Sequence, residues 1–414
     1  MAGSVTREGE STKTMYRGWV VVIAGFIIWT VVFGIQNSFG IFFKPLQETF
    51  GWSRATTSWA ITTHLIVYAL CMMPGGWAMD RFNTRLMYSI AAVLIGSSLI
   101  LSSRITEPWQ LYLVYGLPLG AGISLCGPAI FINITRSFTE KRGLALGIAS
   151  AGVGFGTLVM APLSNVLITS YGWRNAFVVL GIIAFVTILV CGHIMKFPTR
   201  KEIDEGQPVS KKPADKVKAP ASARMTLVQI IRSREMFFII VATGFNAFTM
   251  KVVITHIAPY ATDMGISAFL AALAVGTIGG VSTAGRLIMG FVQDKIGPQR
   301  VMIICMTVQG FSMVALPFIG LGPLFFLYTI VYGFTYGGDI PQIPAITAQC
   351  FGLASMGIAY TMVQTVGNLA GALGSISGGF LFDLLGSYTV IFLATGVSLF
   401  TGAFLISRLK PRQS

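Results

Sequence analysis

The sequence predicts an all-α membrane protein with twelve transmembrane helices arranged as two pseudo-symmetric six-helix halves. Three observations lead to this fold class. Of the 414 residues, 54% are hydrophobic and 11% are charged, whereas soluble domains carry roughly 25% charged residues. The apolar residues form long blocks, and a block of about 18 or more is long enough to cross a bilayer as a helix. Finally, the second half of the chain repeats landmarks of the first at a constant offset.

Twelve apolar blocks define the predicted spans. The first block is too long for the core of a signal peptide, so we expect it to be retained as a helix. The five cysteines show neither a disulfide framework nor metal-ligand spacing, and we expect no metal and no cofactor. The blocks lie at roughly 18–43, 55–77, 87–104, 110–132, 142–170, 175–196, 236–259, 268–290, 299–319, 323–346, 355–382 and 387–407.

The distribution of Lys and Arg gives the predicted orientation, because cytoplasmic loops carry an excess of basic residues. With both termini in the cytoplasm, cytoplasmic segments hold 23 of the 29 basic residues and external loops hold four. The net charge of +14 is then mainly a topology signal, and we expect no nucleic-acid binding. The short loops favour a bacterial inner membrane as the location.

A repeat at an offset of 214 residues relates the two halves. The segment GGWAMDRFNTR (75–85) corresponds to MGFVQDKIGPQR (289–300), and FGWS (50–53) corresponds to MGIS (264–267). Two repeated halves with a binding site between them are typical of secondary transporters. The repeat pairs Asp80 with Asp294 and Arg81 with Lys295, and we expect these loops to latch the cytoplasmic side.

A polar, Lys- and Pro-rich segment separates the halves and is predicted to be a cytoplasmic linker. The predicted division is therefore 1–196, 197–234 and 235–414. Near the end of the linker, TLVQIIRS has the pattern of a short interfacial helix. The phosphate-binding pattern G-x-x-x-x-G-K-[ST] is absent from the sequence, which argues against ATP-driven transport.

Arg286 is the only formal charge in the run 268–292. An arginine near the middle of a spanning helix costs roughly 2.5–3.5 kcal/mol on insertion scales. Its planar guanidinium matches a carboxylate, so a bound anion would offset the cost of burial. The alternatives are a structural ion pair with an acid on another helix, or a side chain that reaches the membrane interface.

Two other charged residues, Asp339 and Lys251, lie well inside predicted spans and are candidates for proton coupling. Asp339 is the only acid well inside a span, and it is predicted either to couple a proton to the anion beside Arg286 or to form a structural pair with it. Lys251 is predicted to attract anions or exchange a proton, unless it reaches the outer interface. Pro341 and Pro344 predict a broken helix after Asp339.

Polar side chains in other spans are candidates to complete the binding site, although each could instead form a hydrogen bond between helices. We expect Asp263, near an outer span end, to be solvated. The candidates are Gln36, Asn37, Asn133, Asn246, Tyr332, Tyr336, Tyr360 and Gln364.

The motifs resemble those of a known family. The paired G-x-x-x-D-[RK] loops resemble the loop signature of the major facilitator superfamily. The stretches GWVVV, SFGIFFKPL and FGWSR in the first span, KRGLALGIASAG (141–152) and STAGRLIMG (282–290) are similar to those of the monocarboxylate transporters. The resemblance implies carboxylate transport, with Arg286 binding the substrate carboxylate.

The chain departs from this family at positions linked with proton coupling. Asn37 stands where relatives often carry a lysine, and Ser282 stands where an aspartate often precedes the arginine. Related oxalate/formate exchangers have a lysine on the eleventh helix, where this chain has Val363. A single cation suits a monocarboxylate, although Lys251 adds a second positive charge to the spans.

The sequence therefore predicts a monomeric secondary transporter, not an enzyme, in a lipid bilayer. Its predicted substrate is a small monocarboxylate such as lactate, pyruvate or acetate, carried with a proton by alternating access. One alternative is carboxylate exchange without proton coupling, which the departures from the family favour. Another is export of amphiphilic compounds, which would predict an acidic site, whereas the charge inside the spans is positive.

Overall fold

A computed structural model describes residues 5–137, 142–195, 227–320, 322–352 and 355–409. Within these ranges the regular structure is helical and contains no strand, as the fold class predicts. Residues 197–226 of the predicted linker lie outside the described part of the chain. The end of the linker forms the short helix Leu227–Ile231, as the sequence predicts.

The helices follow the predicted spans in order, and we number the spans 1 to 12 accordingly. Span 1 continues through a 3₁₀ turn into a short helix. Span 4 contains a π-helical turn shortly after its start. The spans are Val5–Asn37 (continued by Phe39–Phe42 and Phe43–Phe50), Arg54–Arg81, Thr84–Ser102, Pro108–Leu111 with Tyr112–Gly116 and Leu117–Ser137, Arg142–Ile194 (spans 5 and 6), Arg234–Asp263, Ala268–Ile296, Pro298–Ala315 with Leu316–Phe318, Pro323–Asp339 with Gln342–Phe351, Met356–Leu385 and Thr389–Ser407.

By length and composition, nine helices in the described ranges can cross a membrane. One of them, Gly147–Ile194, contains spans 5 and 6, which meet at Gly172 with φ 78° and ψ 158°. Spans 4 and 10 are absent from the nine, and span 10 is divided after Asp339 into helices of 17 and 10 residues. The described residues thus account for all twelve predicted spans.

Local sequence signals set several helix ends. The side chains of Ser53 and Asn83 accept hydrogen bonds from backbone N–H groups at the starts of spans 2 and 3, satisfying donors that lack a helical partner. Spans 9 and 10 each begin with proline after a glycine of positive φ. Span 10 ends at Asp339, and the chain resumes as a helix at Gln342, so the predicted break at Pro341 is confirmed.

The chain forms two compact units, and we describe each by itself. Unit 1 comprises Met1–Phe197 and Ile254–Thr283, and unit 2 comprises Pro198–Val253 and Ala284–Ser414. The predicted division at 196 and 235 remains a prediction.

In unit 1, glycines allow spans 1 and 5 to approach closely. A Cβ atom at Gly156 would overlap the carbonyl oxygen of Thr30, and one at Gly152 would overlap that of Phe26. Small residues of this kind let helix backbones approach in membranes, where the hydrophobic effect does not drive helix association. Spans 1 and 5 are therefore held together by close backbone packing.

In unit 2, glycines bring span 8 against span 10 and span 7 against span 11. A Cβ atom at Gly285 would overlap the carbonyl oxygen of Phe334, and one at Gly338 would lie 2.7 Å from Cγ of Met289. On span 11, a Cβ atom at Gly374 would overlap the carbonyl oxygen of Phe248. These contacts fix the helices that carry Arg286, Asp339 and Lys251.

We predict that Gly156→Ala destabilises the protein because the added methyl group would force spans 1 and 5 apart. Overpacking of this kind costs roughly 1–3 kcal/mol. The matched control is Gly147→Ala on the same helix, where an added Cβ meets no atom within 4 Å. Thermal unfolding of the purified variants in detergent measures the difference, and equal stability of the two variants would contradict the packing role.

Candidate functional site

Arg286 lies in unit 2 beside the tightest contact of spans 8 and 10. Its neighbour Gly285 packs on the span 10 backbone, so the arginine is presented to span 10. Its guanidinium hydrogen-bonds the hydroxyl of Tyr336 and interacts electrostatically with Asp339. Span 10 thus supplies both a neutral and an acidic neighbour to the arginine.

Asp339 is fully buried, and two amide side chains hold its carboxyl group. Asn246 of span 7 donates to Oδ2 at 2.5 Å, and Gln309 of span 9 donates to the same oxygen at 2.7 Å. No described residue donates to Oδ1. The predicted proximity of Asp339 to Arg286 is therefore found, but the direct hydrogen bonds of the carboxyl come from amides on two other spans.

The asymmetry of these bonds leaves one carboxyl oxygen available. A buried carboxylate oxygen without a donor is costly, because the group has lost water without replacing its hydrogen bonds. A proton on Oδ1 would remove the charge while both amide bonds to Oδ2 persist. The arrangement can therefore hold a proton without moving either amide.

Three tyrosines form a ladder on one face of span 10. The rings of Tyr328 and Tyr332 stack with centroids 5.7 Å apart, and those of Tyr332 and Tyr336 stack at 6.4 Å. Tyr332 is fully buried, and its hydroxyl has no hydrogen-bond partner among the described residues. The phenol of Tyr332 therefore lies next to Tyr336, the residue that bonds Arg286.

Lys251 of span 7 is buried, with 9% of its surface exposed. The 12 residues from Lys251 to the end of the span at Asp263 correspond to about 18 Å, so a lysine side chain cannot reach the end of the helix. The side-chain stem lies against span 11, where a Cβ atom at Gly371 would be 2.9 Å from Cγ of Lys251. No hydrogen bond or ion pair joins its ammonium to a described residue.

Two other predicted binding residues are not brought to Arg286 by any described contact. Asn37 lies in unit 1, is 6% exposed and donates a hydrogen bond of 3.0 Å to Oγ1 of Thr157. It therefore makes the hydrogen bond between helices that was the alternative for such residues. Tyr360 of span 11 is half-buried and has no hydrogen bond or ring contact to another predicted site residue in the described ranges.

The predicted latch residues lie at helix ends. Asp294 and Lys295 are exposed at the end of span 8, and no ion pair joins either to a described residue. Asp80 and Arg81 end span 2, but their side chains lie outside the described part of the structure. The latch stays a prediction.

Asp263 lies at an exposed position, as expected for a solvated acid, but it also pairs with two cations. Asp263 ends span 7 in unit 1, and its carboxylate accepts a hydrogen bond of 2.5 Å from the guanidinium of Arg54 and lies 3.8 Å from the Lys44 ammonium. The side chain of Arg54 is only 6% exposed and that of Asp263 is 30% exposed. Burial of the arginine makes this acid its necessary partner.

A cavity of about 240 Å³ opens near Lys44 in unit 1, and none of the predicted binding residues lines it. Its walls are mainly apolar and come from spans 1, 5, 7 and 8. Lys44, which lines this cavity, is paired with Asp263, so we place the candidate site on the charged cluster of unit 2. That cluster consists of Arg286, Tyr332, Tyr336, Asp339, Asn246 and Gln309.

Sequence reasoning missed Gln309. It is fully buried on span 9 and donates to Asp339, and its Oε1 accepts no hydrogen bond from a described residue. The available signal was an amide in the apolar stretch VMIICMTVQGFSMVAL (301–316), although such an amide equally suits structural bonding between helices.

Comparison with known proteins agrees with the fold and the motifs. The Major Facilitator Superfamily model matches residues 20–290 and 242–414. The chain is 27% identical over 409 residues to monocarboxylate transporter 12 of Xenopus laevis, covering 95% of this chain and 88% of that protein. It is 28% identical over 399 residues to monocarboxylate transporter 11 of Homo sapiens, covering 94% and 82%. The predicted resemblance is confirmed.

Solved structures share the fold. A D-xylose-proton symporter has a TM-score of 0.78 at 16% identity, covering 95% of this chain and 98% of that chain. An inward-facing, occupied bacterial homologue of the human lysosomal transporter Spinster has a TM-score of 0.74 at 18% identity, covering 94% and 95%. At these identities the likeness concerns the fold alone, which confirms the predicted fold class.

We predict that Asp263→Asn lowers stability by roughly 1–3 kcal/mol, because Arg54 would keep its burial and lose its charged partner. The matched control is Glu48→Gln, which removes an exposed acid from the end of span 1. Thermal unfolding in detergent compares the two variants with the parent protein. Equal unfolding temperatures would show that the ion pair contributes nothing to stability.

Proposed function

Because the chain belongs to the major facilitator superfamily, we propose that it moves a small monocarboxylate across the membrane together with a proton. It is a multi-pass membrane protein that acts as a secondary transporter rather than as an enzyme. The proposed substrates are of the lactate, pyruvate or acetate type, carried by a monomer through alternating access. The distribution of basic residues supports a bacterial inner membrane with both termini in the cytoplasm.

The observation that carries the proposal is the placement of Arg286. Its charge is permanent, its position on span 8 is fixed by the Gly285 contact, and a tyrosine hydroxyl orients its guanidinium. A guanidinium offers two parallel N–H groups to a carboxylate, and such charge-assisted bonds are roughly twice as strong as neutral ones. The relatives named monocarboxylate transporters support the same substrate class.

Asp339 is the proposed proton carrier. Its carboxyl is near enough to Arg286 to sense whether the arginine is neutralised by a substrate. With the site empty, an ionised Asp339 balances the arginine. When the substrate carboxylate takes over that role, a proton on the free Oδ1 keeps the cluster from carrying an excess negative charge.

Exchange of carboxylates without a proton is the second candidate. Asn37, which replaces the family's lysine, bonds to Thr157, and Ser282, which replaces the family's aspartate, donates to the carbonyl of Gly279 at 2.7 Å. Neither residue exchanges protons, so coupling by the route typical of relatives is absent here. Asp339 is the group whose role distinguishes symport from exchange.

The direct test is uptake of radiolabelled lactate, pyruvate and acetate into proteoliposomes, with and without an inward proton gradient. We expect accumulation that depends on the gradient. Uptake only into vesicles preloaded with a carboxylate would assign exchange. Failure to take up any of the three acids would refute the proposed substrate class.

We predict that Arg286→Ala lowers kcat/KM for the transported acid by roughly 100-fold or more, the factor expected for loss of a charge-assisted pair. Arg286→Lys should retain part of the activity, because lysine keeps the positive charge but lacks the two parallel N–H groups of the guanidinium. Arg300→Ala, which removes an exposed arginine of span 9, is the control. Near-normal transport by Arg286→Ala would leave the arginine without the proposed role.

We predict that Asp339→Asn abolishes acceleration of uptake by acid outside, while exchange of labelled for unlabelled acid continues. Asparagine keeps an acceptor for the two amides but cannot carry the proton. Asp383→Asn, at the exposed end of span 11, is the matched control. Gradient-driven accumulation by Asp339→Asn would remove this residue as the proton carrier.

A further inference from the structure

Lys251 lies deep inside described span 7, and the proposed mechanism leaves its charge unused. It is 91% buried, because only 9% of its surface is exposed. No acid or acceptor of the described residues pairs with its ammonium. Charged groups in spanning helices are normally paired or face a polar path. An anion that the protein binds would supply this counter-charge.

Neighbouring contacts hold the lysine in place. Its stem packs on Gly371 of span 11, and Gly374 of the same helix contacts the backbone at Phe248. A side chain at position 371 would collide with the stem. The lysine is thus held between spans 7 and 11.

Asp339 does not neutralise it. Asn246, which bonds Asp339, lies five residues before Lys251 on span 7. Five residues turn an α-helix by about 140°, so the two side chains leave the helix on different faces. The amide faces span 10, and the lysine faces span 11.

The lysine lies at nearly the same depth as the arginine site. Lys251 is about 7.5 Å farther along span 7 than Asn246 at 1.5 Å per residue. On span 10, which runs in the opposite direction, Tyr336 is displaced from Asp339 by about 4.5 Å in the same sense. Because Asn246 bonds Asp339, Lys251 and the tyrosine that orients Arg286 differ in depth by only about 3 Å.

We propose that Lys251 forms a second anion-binding position in the substrate site and that the carrier also takes short dicarboxylates. This inference rests on the proposed function, because Arg286 binds the first carboxylate. A second carboxylate supplies the counter-charge that Lys251 lacks. With Asp339 protonated, a dianion neutralises both cations, so the loaded site has no net charge.

The experiment uses the full chain in proteoliposomes with radiolabelled lactate and malonate, a three-carbon dicarboxylate. The readout is the ratio of kcat/KM for malonate to kcat/KM for lactate. We expect the parent protein to transport both acids, Lys251→Met to lower the ratio by about tenfold or more, and Lys251→Arg to restore most of it. Monodisperse elution in detergent verifies that each variant is folded.

Each outcome is informative. Lactate transport with neither transport nor competition by malonate would overturn the dicarboxylate site and leave the proposed function intact. An equal loss for both acids in Lys251→Met, with the ratio unchanged, would also overturn it, because a structural lysine affects both substrates alike. Transport of neither acid by the parent protein would instead refute the proposed function.

Discussion

The hydrocarbon core of a bilayer contains no water to solvate an ion, and the arrangement of the polar residues follows from this constraint. Asp339 is surrounded by amides from two other helices, and Arg286 has a tyrosine and an acid within reach. At the end of span 7, the buried Arg54 is matched by Asp263. Lys251 departs from the pattern, since no described residue supplies its counter-charge.

Close helix packing fixes the positions of these polar side chains. An apolar helix in lipid gains little from burying one more leucine, so its position depends on shape and on interhelical hydrogen bonds. Gly285 allows span 8 to contact the backbone of span 10, which brings Arg286 to Tyr336. Gly371 leaves room for the stem of Lys251. The glycines thus position charged side chains without contacting a substrate themselves.

Much of this organisation could be predicted from the sequence, because span length, basic loops and the repeat are properties of single segments. The break after Asp339 followed from Pro341, and the importance of Arg286 followed from its isolation in an apolar run. The partners of a side chain were harder to predict, since they depend on how each helix is rotated. The bond from Asn37 to Thr157 and the ion pair of Arg54 with Asp263 join positions 120 and 209 residues apart. Gln309 had no sequence signal that separates a site residue from a structural amide.

The single non-helical residue between spans 5 and 6 has a mechanical consequence. Gly172 has φ 78°, a conformation that side-chain-bearing residues rarely adopt, and helix continues on both sides of it. Because the single residue Gly172 joins the two spans, a tilt of span 5 is transmitted directly to span 6. Spans 5 and 6 therefore move as one bent unit. Spans 8 and 9, which are joined through Gly297 alone, share this property.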